Sequence, residues 1–227
     1  MNIFLRVYFY IFKNLKIKIK GKNNKIILNG SKIRKSTIKI EGNDNIIIFD
    51  KKCNIKNMNL YIDGVKNKIE TQTIKIHGLN IEIKNNKNNL YIEEECQFWD
   101  ADVYIAENCG KIKIGKNSHF FGTTVSCREN NNSILIGNNN LFSNTVIRNS
   151  DAHKIYKNKE IINKGKPVII KNNIWLAMNT IVLKGVTIND GNVIGAGTIV
   201  TKDILENNCL IAGNPNIILK KEISWEK

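Results

Sequence analysis

The sequence is poor in proline, cysteine and histidine. Only two of its 227 residues are proline and no Ser/Pro/Gly-rich stretch marks a linker, so we expect one elongated domain. The five cysteines are scattered without a Cys-x-x-Cys pair, which argues against a disulfide framework and favours a reducing compartment. His77, His119 and His153 include no closely spaced pair, so no metal site is predicted.

Acidic residues are also few, with 20 Asp and Glu against 35 Lys and Arg, a net charge of +15. Nucleic acid is the usual partner of so basic a chain. However, the lysines are spread evenly among asparagines and no nucleic-acid-binding motif is present, so no nucleic-acid partner is predicted. We expect most of these lysines on solvated outer faces, and some of the charge to attract a polyanion or an anionic membrane surface.

No apolar run is long enough to cross a bilayer, which takes about 20 residues. The apolar, aromatic stretch Met1–Phe12 is followed by the basic run Lys13–Lys25, without the small-residue cleavage site of a signal peptide. We expect residues 1–22 to cap the open end of the fold. The alternative is a peripheral anchor at the inner membrane surface. In both cases the expected location is the cytoplasm.

A strict six-residue period runs through Val168–Pro215. An α-helix turns about 100° per residue, so a six-residue step would scatter these apolar positions around the whole helix. The period instead predicts a short strand and a tight corner, one unit per face of a coiled prism. The apolar positions are Ile170, Leu176, Val182, Ile188, Ile194 and Val200.

A longer repeat precedes it, from Lys16 to Gly137. Units of 21 or 22 residues each begin with a small or polar residue and continue into a β-rich run. We interpret each unit as one turn of the same coil, with asparagine at a corner because it tolerates left-handed backbone angles. The residues that begin the units are Asn24, Asn45, Asn67, Asn89, Gly110 and Asn132.

The register is interrupted between Arg148 and Ile170, whose separation of 22 residues is not a multiple of six. The intervening segment is polar and loop-like, and it contains His153 within Ser150-Asp-Ala-His. Loops carried by a rigid scaffold often hold functional residues. We therefore predict five segments: 1–22 as cap or membrane-proximal segment, 23–147 as scaffold turns, 148–167 as catalytic loop, 168–216 as hexapeptide coil and 217–227 as C-terminal cap.

The motifs of the six-residue stretch resemble those of the hexapeptide-repeat acyltransferases, in particular the capsule and polysialic-acid O-acetyltransferases. The resemblance implies an all-β, left-handed parallel β-helix and an acetyl-CoA-dependent O-acetyltransferase that acts on a surface sugar or polysaccharide. It also implies a homotrimer with active sites between subunits. The motifs are Asn173-Ile-Trp-Leu-Ala-Met, Gly185-Val-Thr-Ile-Asn-Asp-Gly, Val193-Ile-Gly-Ala-Gly-Thr-Ile-Val-Thr-Lys-Asp and Ala212-Gly-Asn-Pro.

The resemblance also implies the roles of the site residues. His153 would be the general base, since histidine titrates close enough to neutrality to take and return a hydroxyl proton. Asp151 would orient its ring, or else shape the loop as an Asx turn. Trp175 would line the site, and a bulky indole at an outward corner favours an interface or a ligand.

For coenzyme A, the resemblance implies a groove along the outer face. The amides near Ala177, Met178 and Ala196 would meet the pantetheine arm, and Thr201 and Lys202 the nucleotide end. An ammonium group is a good partner for phosphate, which makes Lys220 a further candidate. Two alternatives to the O-acetyltransferase are open: N-acetylation of an amino sugar or nucleotide sugar, and a non-catalytic β-solenoid that binds or scaffolds.

Overall fold

The computed structural model describes residues 14–50 and 52–227, and all regular structure in them is β. The expectations for Met1–Phe12 lie outside this range. No helix in it is long and apolar enough to cross a membrane. The strands are β1 (Leu15–Lys20), β2 (Lys25–Ile27), β3 (Lys32–Arg34), β4 (Ser36–Glu41), β5 (Ile46–Phe49), β6 (Asn54–Asp63), β7 (Lys68–Thr71), β8 (Lys75–Lys84), β9 (Asn89–Ile92), β10 (Gln97–Ile105), β11 (Lys111–Ile114), β12 (His119–Phe121), β13 (Thr124–Cys127), β14 (Ser133–Ile136), β15 (Leu141–Ser143), β16 (Val146–Arg148), β17 (Tyr156–Lys157), β18 (Glu160–Ile161), β19 (Val168–Ile170), β20 (Trp175–Leu176), β21 (Ile181–Val182), β22 (Thr187–Ile188), β23 (Val193–Ile194), β24 (Ile199–Val200), β25 (Leu210–Ala212) and β26 (Ile217–Lys220).

Apart from β17, β18 and β26, the strands stack in parallel, each on a strand of the neighbouring turn, and they form three faces. The first face is built from β3, the first halves of β6, β8 and β10, then β12, β15, β20, β23 and β25. The second face continues from it through β4, the second halves of the long strands, β13, β16, β21 and β24. The third face contains β2, β5, β7, β9, β11, β14, β19 and β22. The predicted coil of parallel strands is therefore confirmed.

The long strands bend between the first and second faces at residues with left-handed backbone angles. These are Asn57 (φ 57°), Gly78 (φ 95°) and Asp100 (φ 49°), one per turn. A side chain at position 78 would be crowded, because a Cβ atom added to Gly78 would lie 3.0 Å from the backbone nitrogen of Asp100. Close stacking of the corners thus favours glycine at this one.

The core fills the middle of the prism, because alternate residues of the coil strands point inward, as in β4, β7 and β14. The six apolar residues of the strict period are all buried, at 0–1% exposure. Phe98, Phe120 and Phe142 lie on successive turns: the first two rings stack with centroids 4.8 Å apart, and Phe120 and Phe142 meet edge to face at 5.1 Å. Burying such a side chain contributes roughly 1.5–3 kcal/mol, so the stacked interior is the main source of stability.

A ladder of buried asparagines runs along the corner before the third face. The Nδ2 of Asn45 donates to Oδ1 of Asn24 at 3.0 Å, and the Nδ2 of Asn67 donates to Oδ1 of Asn45 at 3.0 Å. In the next turn the ladder residue is Asn88, whose backbone N–H donates to Oδ1 of Asn67 at 2.9 Å. Asn89, which the repeat assigned to this place, is exposed.

The left-handed residue at this corner is the one before each ladder asparagine. Asn23, Asp44, Lys66 and Lys87 have φ between 56° and 59°. The expectation that asparagine serves here through left-handed angles was therefore wrong. The buried asparagine side chains instead form hydrogen bonds with the preceding and following turns.

Three segment boundaries are visible. The first coil strand, β1, pairs with β4 from Leu15 to Lys20, so coiled structure begins inside the segment expected to be a cap. The insertion leaves the coil after β16 and returns at β19. At the other end β26 pairs antiparallel with β25, and the tail then runs back along the coil, where the backbone N–H of Ile223 donates to Asn208 O.

Candidate active site

The inserted loop projects from the corner between the second and third faces. It leaves from β16, forms a small hairpin in which β17 pairs antiparallel with β18, and rejoins the coil at β19. Residues 151–160 are all exposed, including His153. An exposed imidazole on an ordered loop is accessible to a second molecule or a neighbouring subunit.

Both ends of the loop are held by one carboxylate from the preceding turn. Ser150 donates its hydroxyl to Oε1 of Glu129 at 2.6 Å, and the backbone N–H of Gly165 donates to Oε2 at 2.7 Å. Arg148 adds a bond from Nε to Ser150 O at 2.9 Å. A charged acceptor that joins two ends of a loop restricts the loop strongly. Glu129 is not among the residues predicted from the sequence, although its distance of 21 residues from Ser150 equals one turn.

Asp151 faces away from the predicted histidine contact and towards the turn that follows. Its carboxylate is paired with Lys184 and accepts from Nδ2 of Asn163 at 2.9 Å. The Lys184 ammonium also donates to Asn163 O at 2.9 Å. The hydrogen bond from Lys184, and then that from Asn163, holds the pKa of Asp151 below its ordinary value. The geometry therefore favours the loop-shaping alternative for Asp151.

Asn163 connects this cluster to the histidine. Its Nδ2 donates to the backbone oxygen of His153 at 2.8 Å, and its Oδ1 accepts from the backbone N–H of Ile155 at 2.6 Å. We name Glu129, Asp151, Asn163 and Lys184 the loop clamp. Through Asn163 the clamp fixes the backbone at His153 and Ile155 and leaves the imidazole ring exposed.

Trp175 begins β20 on the first face, at the corner between the third and first faces. The inserted loop lies at the other edge of the third face. The side chain of Trp175 is 36% exposed and lies against Trp225 of the C-terminal tail, with ring centroids 6.0 Å apart. The Nε1 of Trp225 donates to Asn173 O at 2.9 Å. Trp225 therefore packs on Trp175. Within one chain, Trp175 and the loop leave the coil at different corners.

The predicted donor residues fall into two groups. Ala177, Met178 and Ala196 lie at the corner between the first and second faces in successive turns, where Gly197 N donates to Met178 O at 2.9 Å. Met178 is 58% exposed, and a Cβ added to Gly197 would meet nothing within 4 Å, so this corner is open. The N–H of Ala177 donates to Ile194 O, so this amide is already paired within the coil.

The second group lies near the C-terminal end of the coil. Thr201 and Lys202 follow β24 on the second face and are exposed. The backbone N–H of Thr201 donates to Oδ1 of Asn216 at 3.2 Å, so it is not free to donate to a ligand. Lys220 lies on β26, opposite Leu210 of the first face. It is exposed, and it is separated from the other two by the last corner.

His119 is the one histidine of the described residues with a buried ring nitrogen that has no partner. It lies in β12 on the first face, and its Nε2 is buried without a hydrogen-bond partner in the described part of the chain. Burial, together with the charges of Lys227 and Lys75, lowers its pKa. Among the described residues no group of three or more His, Cys, Asp or Glu side chains is arranged to hold a metal ion.

Known proteins resemble part of the chain in sequence and nearly all of it in structure. No family model matches. Galactoside O-acetyltransferase of Escherichia coli K12 is 42% identical over 69 residues, which are 30% of this chain and 32% of that protein. Polysialic acid O-acetyltransferase of Escherichia coli O1:K1 is 34% identical over 86 residues, 37% of this chain and 28% of that protein. The chain thus spans about a third of the length of the curated relatives it matches.

Two solved structures match far more of the fold. The polysialic acid O-acetyltransferase OatWY has a TM-score of 0.68 and 31% identity, with 93% of this chain and 91% of that chain covered. The polySia-specific acetyltransferase NeuO has a TM-score of 0.71 and 25% identity, with 94% and 89% covered. This chain therefore belongs to the hexapeptide-repeat acetyltransferases, enzymes built on a left-handed parallel β-helix.

Proposed function

We propose that this protein transfers an acetyl group from acetyl-CoA to a hydroxyl of a surface sugar or polysaccharide, of the capsular or lipopolysaccharide type. The observation that carries the proposal is the position of His153, exposed on the loop inserted between β16 and β19 and fixed through the backbone by the loop clamp. The likeness to two polysialic acid O-acetyltransferases supports a glycan acceptor.

In the proposed reaction His153 acts as general base. Its imidazole takes the proton of the acceptor hydroxyl as that oxygen attacks the thioester carbonyl of acetyl-CoA. The carbon–sulfur bond then breaks, and the proton passes to the sulfur of the departing coenzyme A. Because the acyl group passes directly from donor to acceptor, both substrates are bound at once and no acyl-enzyme forms.

The open corner at Met178 and Ala196 suits the donor. Small side chains flank it at Ala177 and Gly195, so an extended pantetheine arm can approach the backbone closely. Exposed Lys202 and Lys220 supply positive charge for the phosphates of coenzyme A. In this arrangement Thr201 supports the same end of the groove through its hydroxyl.

The proposed active unit is a homotrimer in which His153 of one subunit meets Trp175 of the next. Within one chain these residues are at opposite edges of the third face, and both are partly or fully exposed. An exposed indole at an edge is a typical interface or ligand contact. All five cysteines are free thiols, which supports the proposed cytoplasmic location.

The substitution His153→Ala tests the proposed role of the imidazole. Removing a positioned base lowers turnover by about 10²–10⁴-fold. The exposed side chain contributes little to folding, so the melting temperature and the affinity for coenzyme A should not change. Turnover is measured by release of the coenzyme A thiol with a sialic acid polymer as acceptor.

The matched control is Lys154→Ala, which removes an exposed side chain from the adjacent position of the same loop. We expect it to retain most of the turnover. Equal activity in His153→Ala and the unmodified protein would contradict the proposal.

A further inference from the structure

The N-terminal part of the first face carries no carboxylate. Over five successive turns its strand segments β3, Asn54–Lys56, Lys75–His77, Gln97–Trp99 and β12 contain no aspartate or glutamate. Acidic residues stand only beside it, at the corners, as with Glu94, Glu95 and Asp100. The outward side chains are Lys32, Arg34, Asn54, Lys56, Lys75, His77, Gln97, Trp99, His119 and Phe121.

In the described chain no cation of this face is held in an ion pair, whereas the other two faces contain paired as well as unpaired cations. On the second face Lys20 and Lys39 pair with Glu41, and Lys84 pairs with Glu82. On the third face Lys68 pairs with Glu70, and Lys113 reaches Glu93. Across residues 14–50 and 52–227, the first-face cations Lys32, Arg34, Lys56 and Lys75 form no ion pair. Their charge is therefore available to an external anion.

Residues from three successive turns of this face line a recess at its N-terminal end. A cavity of about 330 Å³ is lined by Asn14, Arg34, Lys35, Lys56 and His77. Its volume is at the lower end of the range for small-ligand sites, about 300–1,000 Å³, which suits a single sugar ring.

An aromatic ladder continues from this recess along the face. His77 and Trp99 stack with ring centroids 4.6 Å apart and planes 14° apart, and Trp99 and Phe121 follow at 6.3 Å and 19°. Trp99 is 42% and Phe121 38% exposed. Because the rings stack on one another, they present their edges outward, and an aromatic edge carries partial positive charge. The ladder therefore combines apolar area with attraction for oxygen atoms.

The same column of residues leads to the proposed donor corner. Phe121 pairs with Ser143 of the next turn. The register between β15 and β20 then places Ala177 beside Ser143, one turn further on. Beyond it lies Gly195. A chain-like ligand lying along the aromatic ladder would thus extend, over small side chains, to the corner where the acyl donor is proposed to bind.

We propose that the first face, from Arg34 to Phe121, binds a segment of an acidic polysaccharide. The unpaired cations would meet its carboxylates, and the ladder would cover the less polar parts of its sugar rings. The surface is favoured over contact with a second copy of the chain, because unpaired positive charge opposes packing of like surfaces. This inference deepens the proposed function, on which it rests for the assignment of the glycan as acceptor.

Binding is measured by calorimetry with soluble polysialic acid as the probe. We expect binding that weakens when ionic strength is raised to about 0.5 M, and none to neutral dextran of similar length. Lys56→Gln with Lys75→Gln should weaken affinity about tenfold, from the loss of two exposed charge contacts. Trp99→Ala should weaken it about three- to tenfold, from the loss of one aromatic contact.

The matched control is Lys68→Gln with Lys113→Gln, which removes the same charge from the third face. If it weakens polysialic acid binding as much as the first-face pair, the attraction is due to net charge and the proposal fails. It also fails if polysialic acid does not bind, if duplex DNA binds more tightly, or if Trp99→Ala alters the oligomeric state in sedimentation.

Turnover separates this proposal from the proposed function. With a short sialic acid acceptor, too short to reach the ladder, we expect the first-face variants to keep full turnover. With polysialic acid, their KM should rise with little change in kcat. An enzyme that is inactive on every acceptor but binds the polymer through this face would overturn the proposed function and leave the binding surface supported.

Discussion

Lys184 joins the inserted loop to the turn of coil that follows it. Its ammonium contacts the carboxylate of Asp151 and the backbone oxygen of Asn163, so one side chain holds two points of the loop. The pair is partly exposed, and such pairs contribute about 0–1 kcal/mol to stability. The effect of Lys184 should therefore be seen in the position of His153 more than in the stability of the fold.

We expect Lys184→Met to lower kcat about tenfold with little change in KM for acetyl-CoA, because the base is no longer held in place. The melting temperature should fall by only about 1–3 °C. Steady-state kinetics and thermal unfolding measure the two effects. Lys184→Arg retains the charge and should restore most of kcat; a loss of kcat in Lys184→Arg equal to that in Lys184→Met would argue against positioning by the ion pair.

Glu41 carries the largest carboxylate shift in the described residues, with its pKa lowered from 4.5 to about 2. The main cause is the hydroxyl of Tyr61, which donates to Oε2 at 2.6 Å, followed by Lys20 and Lys39. The same bond raises the pKa of Tyr61 to about 12. A lowered carboxylate pKa stabilises the fold above the ordinary value, and this stabilisation is lost as pH falls towards 2.

Tyr61→Phe should therefore raise the pKa of Glu41 part of the way towards 4.5 and shift the start of acid unfolding to higher pH. The Glu41 carboxyl resonance, followed by NMR between pH 2 and pH 6 or so, reports the pKa directly. A Glu41 pKa that stays near 2 in Tyr61→Phe would assign the shift to the lysines instead.

At the scale of the secondary-structure element, the substitution Asn67→Ala tests how much the asparagine ladder contributes to stability. Asn67→Ala leaves the N–H of Asn88 and the backbone oxygen of Asn85 without their buried partners. Each unpaired buried group costs about 1–3 kcal/mol. A fall in melting temperature of roughly 5–10 °C is expected from circular dichroism.

Asn89→Ala is the control, because Asn89 is exposed and its side chain donates to Lys87 O at 3.2 Å, outside the ladder. It should change stability by less than about 0.5 kcal/mol. Equal losses in the two variants would show that the ladder is not specifically stabilising.

The six-residue period was sufficient to predict the coil and its buried columns, since side-chain direction in a strand depends only on local geometry. The break in that period also located the inserted loop. The contacts of Asp151 were not predictable, because Lys184 lies 33 residues later and meets it only through stacking of successive turns. Which of the adjacent asparagines Asn88 and Asn89 joins the ladder was also not predictable, because they differ only in that the side chain of Asn88 points inward.

At the scale of the whole molecule, the coil is a rigid spacer. Each turn is fixed to its neighbours by parallel strand pairing, so the corner with the loop and the edge with Trp175 cannot approach each other within one chain. A site that needs both His153 and Trp175 therefore needs two chains. This requirement makes the proposed trimer testable without a structure of the assembly.

Co-expression of His153→Ala and Trp175→Ala chains provides the test. Each variant alone should be nearly inactive, since every interface lacks one residue. In randomly mixed trimers, about a quarter of the interfaces combine His153 from one variant with Trp175 from the other and are complete. Mixed preparations should therefore recover up to about a quarter of the activity of the unmodified protein. The control mixes the two separately purified variants without subunit exchange and should stay inactive. If each chain instead carried a complete site of its own, no mixture would recover activity, because every chain would still lack one of the two side chains.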